Sequence, residues 1–175
     1  DVIYAGHLVA PAVSRLVDDI APFNYRLVSQ SDDPRVTDRS ASYVRKLDLI
    51  ARSRVTVVQN LLFLRPGHVR AVRATDGWEE NEAFADIVRA AEAGGDVAAG
   101  EIIAPQIKSR LFEAAFCRSL ILCRRDRWNV IERFFEPGEE FVYYEEGKLT
   151  ETLQGILADF GAFQAVIDRA FERAG

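Results

Sequence analysis

Residues 104–146 read APQIKSRLFEAAFCRSLILCRRDRWNVIERFFEPGEEFVYYEE, and most of the fold prediction rests on this stretch. Pro105 suits the first turn of a helix, because a backbone N–H at that position has no partner within the helix. Small and apolar residues then recur at helical spacing and predict a buried face. This face comprises Ile107, Leu111, Ala114 and Ala115.

A second face of the same predicted helix is polar. Gln106, Arg110, Glu113 and Cys117 follow one another at steps of four, three and four, so they lie on one side of a helix. The helix therefore carries a cation and a carboxylate beside its apolar face. The simpler alternative is an ion pair between Arg110 and Glu113, worth roughly a few tenths of a kcal/mol on an exposed helix.

Strand patterns follow this helix. Residues 119–123 (SLILC) form a short apolar run, which is typical of a strand covered on both faces in a parallel sheet. A short helix, turn residues at Glu136–Gly138 and a strand at Phe141–Tyr144 complete the stretch. This order of elements indicates an α/β fold.

The first sixty residues repeat the alternation of strand and helix. The second of these helices is predicted to bury Tyr43, Leu47 and Ile50. With the later strands, the pattern predicts a Rossmann-like parallel sheet of about five or six strands flanked by helices. The predicted strands span residues 2–5, 25–29 and 54–59, the polar loop spans 30–38, and the predicted helices span 10–20 and 40–52.

Residues 61–100 are the least regular part of the chain. They indicate an insertion or loop followed by a helix at 79–93, with Phe84, Ile87, Val88 and Ala91 on one face. Two further helices are predicted at 148–159 and 162–174. We predict a single domain over residues 1–175. Because the chain has no Met and begins abruptly in a strand pattern, we expect it to be excised from a longer protein.

Composition narrows the class of protein. With 49% hydrophobic and 28% charged residues, the 175-residue chain can bury one sizeable core. Its net charge of -5 argues against nonspecific nucleic-acid binding, which needs a basic surface. No apolar run approaches the length of a membrane span and no signal peptide is evident, so we expect a cytoplasmic protein. Cys117 and Cys123 are expected to be free thiols. The sequence has only two His residues and no Cys/His cluster, so we expect no zinc site.

Residues 106–147 also resemble the spore-protein-type (CgeB-like) glycosyltransferases. The family pattern is roughly Q-I-K-x-R-x-F-E, a small-residue C-G, an apolar strand, and E-P-G-x-E before a V-x-Y strand. QIKSRLFEAAFC, IERFFEPGEE and FVYY match most of it in order and spacing. There are two departures. Arg118 stands where the family usually has Gly, and Pro105 stands where a wider set of these enzymes has a first glutamate.

The resemblance implies the donor-binding half of a two-domain, metal-independent glycosyltransferase of the GT-B architecture. Its substrate would be a nucleoside diphosphate sugar, with no metal or other cofactor. The acceptor site and the catalytic base are expected in a missing N-terminal domain of the same chain, so the isolated fragment is expected to be inactive. Glu113 corresponds to the glutamate that accepts the ribose hydroxyls. The implied donor-binding residues are Gly6, His7, Gln106, Lys108, Arg110 and Glu113.

Elementary chemistry is consistent with these roles. Gly6 would let the backbone approach a diphosphate, and His7 could donate a hydrogen bond there. Lys108 and Arg110 would stabilise the charge on a diphosphate leaving group, with Arg gripping it through two N–H groups. The alternatives are that Gly6 only shapes a turn and that His7 faces solvent.

Weaker candidates have ordinary explanations. Asn60 could contact the donor or simply end a strand, and Trp78 could stack on a base or pack within its own domain. Arg124, Arg125 and Arg127 could reach a phosphate or carry surface charge.

Two other functions remain open. One is a non-catalytic Rossmann-like binding or interaction module that has lost the transferase chemistry. The other is a flavodoxin-like receiver domain. It would need acidic residues after the first strand and an Asp after the third, where this chain has Gly6, His7 and Asn60.

Overall fold

The computed structural model describes residues 1–8, 11–64, 66–82, 85, 88–89, 96–98 and 101–175. The chain divides into two compact units. The first combines Asp1–Gln59 with Lys108–Gly175, and the second is Asn60–Ile107.

The first unit is built on a six-stranded sheet in which all neighbouring strands are parallel. The strands are β1 Val2–Ala5, β2 Tyr25–Ser29, β3 Asp38–Arg39, β4 Val55–Val58, β8 Leu120–Arg124 and β9 Val142–Tyr144. Their order, β3-β2-β1-β4-β8-β9, is that of a Rossmann-like, doubly wound sheet, which confirms the predicted α/β fold. In such sheets ligands bind at the carboxyl ends of the strands, near the point where the connections from β1 and β4 lead in opposite directions.

Helices flank this sheet. They are α1 Pro11–Ile20, α2 Tyr43–Ala51, α4 Arg110–Phe116, α5 Leu149–Ala158 and α6 Gln164–Ala174. Three of them pack side by side, with α4 in contact with both α2 and α6, while α1 packs against α5. The predicted apolar stripe of α1 faces inward, since Val13, Leu16, Val17 and Ile20 are all buried.

The stretch from α4 to β9 follows the prediction closely. The predicted apolar face is buried at Leu111, Ala114 and Ala115, whereas Ile107 precedes the helix. A short 3-10 helix, Val130–Arg133, connects β8 with the turn before β9. Phe135 and Phe141 join the same hydrophobic cluster as these helix residues and anchor that connection in the core.

Arg118, which departs from the Gly of the family pattern that the sequence resembles, occupies a backbone conformation that favours Gly. Its φ of 54° is left-handed, a region in which a side chain is strained and Gly is not. The turn closes α4, because the Arg118 N–H donates to the Ala115 carbonyl and the Ser119 N–H donates to the Ala114 carbonyl. The guanidinium compensates by pairing with Asp168 and lying 3.9 Å from the centre of the Phe171 ring.

We therefore expect Arg118→Gly to be more stable than Arg118→Ala by about 1 kcal/mol, because both lose the same contacts but only Gly relaxes the left-handed backbone. Urea unfolding would measure the difference. At Arg169, an exposed position inside α6, the order should reverse, with Ala more stable than Gly by about 1 kcal/mol. The same order at both positions would contradict this interpretation.

The second unit contains a three-stranded antiparallel sheet in the order β5-β7-β6. Its small core centres on Val69 and Val88, with Leu62, Val72 and Trp78 packed against them. Trp78 thus packs within its own unit, as the simpler interpretation held. The elements are β5 Leu61–Leu64, α3 Pro66–Arg73, β6 Asp96–Ala98 and β7 Glu101–Pro105.

The prediction that Pro105 opens a helix is wrong. Pro105 ends β7, opposite Leu61. Because the Gln106 N–H donates to the Asn60 carbonyl at 2.8 Å, the pair formed by Leu61 and Pro105 is of the non-hydrogen-bonded kind. The nitrogen of Pro105 therefore points away from β5, and the residues paired with β6 end at Ile103, so its missing N–H removes no ladder bond.

Smaller corrections concern the second helix and the loop before it. Tyr43 is 61% exposed rather than buried, and Leu49 is buried with Ile50 instead. The helix begins after Ser42, whose hydroxyl accepts a hydrogen bond from the Arg45 N–H, so Tyr43 lies at its exposed start. The segment 30–38, predicted as a loop, ends in the short strand β3.

Part of one prediction lies outside the described residues. Of the helix predicted at 79–93, Phe84, Ile87 and Ala91 are not described, while Val88 is buried as expected. In the part of the chain that the structure describes, no helix is both long enough and apolar enough to cross a bilayer.

Candidate functional site

A pocket of about 150 Å³ opens at the carboxyl ends of β1, β2 and β3, on the edge of the sheet where ligands bind in this fold. Every residue of its wall belongs to the first unit. Two of them, Lys46 of α2 and Arg110 at the start of α4, are cations. The pocket is lined by Ala5, Gly6, His7, Val28, Ser29, Gln30, Ser40, Ala41, Lys46 and Arg110.

The wall at β1 depends on a close approach between Gly6 and Tyr4. A Cβ added at Gly6 would lie 2.8 Å from the Tyr4 hydroxyl oxygen and 3.0 Å from the ring carbon that carries it. Tyr4 is only 5% exposed and has little room to move. Burial raises the pKa of Tyr4, and the positive charge of Arg110 opposes this rise. A larger residue at position 6 would therefore collide with the buried Tyr4 side chain.

A strained residue forms another part of the wall. Ser40, directly after β3, has a φ of 53°. Its N–H donates to the Ser29 carbonyl at the end of β2. Left-handed backbone in a residue with a side chain costs energy and is often found at binding sites. This contact places Ser29 and Ser40 next to each other in the pocket wall.

Behind the pocket, Lys46 forms a largely buried ion pair with Glu113. The Lys46 Nζ donates to Glu113 Oε1 at 2.8 Å, across 67 residues of sequence. The exposed fractions of the two side chains are 20% for Lys46 and 6% for Glu113. Glu113 Oε2 is buried and has no hydrogen-bond partner among the described residues. The carboxylate thus lies beneath the pocket wall rather than in it.

Arg110 and Lys108 add positive charge at the same place. Arg110 lines the pocket, and no ion pair joins it to Glu113 in the described structure, so the predicted alternative of an Arg110–Glu113 pair is not formed. Burial, followed by the nearby charge of Arg110, lowers the pKa of Lys108 to about 8. Lys108 therefore still carries its charge in most molecules at neutral pH.

The remaining predicted residues are distributed differently. His7 lines the pocket directly after Gly6. Gln106 belongs to the second unit and is exposed there, so it does not share a helix face with Arg110. Asn60 is buried in that second unit. The structure thus brings Gly6, His7 and Arg110 into one wall.

The arginines after β8 are engaged in local contacts. Arg124 pairs with Glu146 at 2.7 Å and Arg125 pairs with Glu145 at 2.9 Å. Arg127 lies 4.3 Å from the centre of the Trp128 ring. Arg124 also lines a separate cleft of about 220 Å³, in which Asp18, Asp19 and Glu146 place carboxylates beside the guanidinium groups. These surroundings favour structural roles over binding of a phosphate.

Sequence reasoning did not find Lys46, Ser29 or Ser40. A signal for Lys46 was present, because the chain has only three Lys residues, at 46, 108 and 148, among 22 basic residues. Two of these three lie at or near the pocket. Nothing in the local sequence marks the two serines, which become neighbours only when β2 and β3 pair.

The arrangement is suited to an anion. Two cations and two serines line the small pocket, and Arg and Lys are the usual phosphate-binding side chains. Within the described residues no group of three or more His, Cys, Asp or Glu side chains could hold a metal ion. Cys117 and Cys123 form no disulfide in the part of the chain that the structure describes.

Comparison with known proteins connects this geometry to a class of enzyme. A model of a glycosyl transferase-like family matches residues 53–174, well over half of the chain. No curated protein matches the sequence. The matched part contains Arg110 and Glu113, whereas Gly6 and Lys46 precede it. With a match of this extent, the chain belongs to the glycosyl transferase-like family.

Proposed function

We propose that the chain binds the nucleotide-sugar donor in a metal-independent glycosyltransferase of the GT-B architecture, similar to the CgeB-like enzymes. The observation that carries this proposal is the pocket with Lys46 and Arg110 at the carboxyl ends of the parallel strands. The family match supports the transferase class. The acceptor and the catalytic base would be supplied by a second domain.

Transfer of a sugar from a nucleoside diphosphate leaves negative charge on the departing diphosphate. Fixed cations in a partly dehydrated pocket stabilise that charge as it develops, without a metal. Arg110 would grip two phosphate oxygens through parallel N–H groups, and Lys108 would act as a nearby point charge. Gly6 and His7 would contact the same group from the end of β1. Within the first unit, the proposed donor-binding residues are therefore Gly6, His7, Lys108 and Arg110, together with Lys46, while Glu113 lies beneath the pocket wall.

Calorimetric titration of the 175-residue chain with UDP, GDP and their sugar conjugates would test the proposal. We expect at least one of them to bind, and Arg110→Ala to weaken that binding by about 10- to 100-fold, the usual cost of losing a charged hydrogen-bond donor. Arg52→Ala is a matched control, because Arg52 is 76% exposed and caps the far end of α2. It should leave the affinity unchanged.

The alternative function is a non-catalytic module that kept the fold and lost the transferase chemistry. The burial of Glu113 favours it, since a carboxylate only 5% exposed does not offer both oxygens to a ribose. The titration separates the two functions. Absence of binding by every nucleotide, or equal affinities of the Arg110→Ala and Arg52→Ala variants, would support the non-catalytic module.

A further inference from the structure

The ion pair between Lys46 and Glu113 bears on how the donor would be held. A glutamate that accepts ribose hydroxyls needs carboxylate oxygens within reach of the ligand. Here Oε1 is occupied by the Lys46 ammonium, and Oε2 is buried. Glu113 is also absent from the residues that line the pocket, whereas Lys46 is among them.

Lys46 is placed to contact a ligand itself. An ammonium has three donors, and one of them is directed to Glu113. Its nitrogen also lies 4.7 Å from the centre of the Tyr43 ring, which limits its movement on the solvent side. The Lys46 side chain is 20% exposed, and Arg110 faces the same pocket. A phosphate bound between Lys46 and Arg110 would be attracted by both positive charges.

The ion pair adds little net stability to the fold compared with apolar side chains of similar size. Removing a lysine and a glutamate from water costs about as much as their attraction returns, so an apolar pair of similar size would serve the fold equally well. What the pair provides is a lysine of fixed position, since a flexible side chain loses less freedom on binding when it is already held in place.

We propose that Lys46 binds the diphosphate of the donor and that Glu113 is its positioning residue, acting through Lys46 rather than by contact with the ribose. This inference rests on the proposed function. It assigns a binding role to α2, an element that lies before the part of the chain matched by the family model. No bond is made or broken in this step, because the two residues only bind and orient the anion.

The experiment compares inorganic pyrophosphate with whichever of UDP and GDP the chain binds more tightly. Three proteins are titrated: the parent chain, Glu113→Leu, and the double variant Lys46→Met with Glu113→Leu. The double variant replaces the ion pair by apolar side chains of similar size and should remain folded, which the urea midpoint verifies. Exposed Lys148 and Glu151 form a pair with the same 2.8 Å distance, so Lys148→Met with Glu151→Leu is the matched control.

If Glu113 acts through Lys46, Glu113→Leu lowers the affinities for pyrophosphate and for the nucleotide by the same factor. The double variant then binds both ligands about 10- to 100-fold more weakly, and the control variant keeps the affinities of the parent chain. If Glu113 instead contacts the ribose, Glu113→Leu lowers the affinity for the nucleotide and leaves the affinity for pyrophosphate unchanged. This result would overturn the inference. Unchanged nucleotide affinity in the double variant would also overturn it while leaving the proposed function intact. Failure of every nucleotide to bind the parent chain would contradict the proposed function itself.

Discussion

Lys46→Met is expected to lower the free energy of unfolding by about 3 kcal/mol, because it leaves the Glu113 carboxylate buried without its cation. Glu113 is only 6% exposed at the side chain, and its second oxygen already has no partner among the described residues. Methionine matches the lysine stem in length and apolar character, so the loss reports mainly the charge. Urea unfolding of the 175-residue chain would measure it.

A control and a rescue make this expectation specific. Lys148→Met breaks a pair of the same length on the surface, where both partners are more than half exposed, and should cost less than about 0.5 kcal/mol. Adding Glu113→Leu to Lys46→Met should recover most of the loss, because the uncompensated buried charge is then gone. Equal losses at Lys46 and Lys148, or no recovery in the double variant, would show that burial of Glu113 is not the cause.

Gly6→Ala is expected to lower the free energy of unfolding by about 2 kcal/mol, within the usual range for overpacking. The new methyl group would lie 2.8 Å from the Tyr4 hydroxyl oxygen, and Tyr4 is 5% exposed between the sheet and its neighbours. Relief requires Tyr4 or the end of β1 to move, and movement of the end of β1 would displace Ala5 and Gly6 in the pocket wall. Urea unfolding measures the stability, and nucleotide titration reports the change in the wall.

Two further variants identify the collision. Tyr4→Phe removes the nearest atom but leaves a ring carbon at 3.0 Å, so it should restore only part of the stability of Gly6→Ala. Gly155→Ala lies inside α5 with no atom within 4 Å of the added Cβ and should stabilise the chain by about 0.5–1 kcal/mol. A stabilising effect at Gly6 as well would mean that Tyr4 moves aside without cost.

Both expectations concern side-chain contacts that the spacing of residues along the chain does not predict. The predicted apolar face of α4 and the predicted buried strand at β8 were correct. The spacing of apolar residues along the chain already determines which side of a helix or strand is buried. The resemblance pointed to Arg110 and Glu113 but left their partners unknown. The partner of Glu113 comes from a helix 67 residues away, and no periodicity carries information over that distance.

Two of the errors have a similar origin. Pro105 is compatible with the first turn of a helix and with the end of a strand, and only its pairing with β5 distinguishes the two. Tyr43 has the right spacing for an inward position, yet it is the first residue of α2 and remains 61% exposed.

Short-range spacing and a local motif were enough to predict the alternation of strands and helices, the buried faces of α1 and α4, and the membership in a glycosyl transferase-like family. The approach of Tyr4 to Gly6 is local in sequence, but it depends on the direction of the buried Tyr4 side chain, which residue spacing does not specify. The ion pair of Lys46 with Glu113 and the placement of Ser29 and Ser40 in one wall emerged only in the folded chain. Parallel strands bring the ends of distant segments to one edge of the sheet, and chain order alone does not specify which side chains then become neighbours.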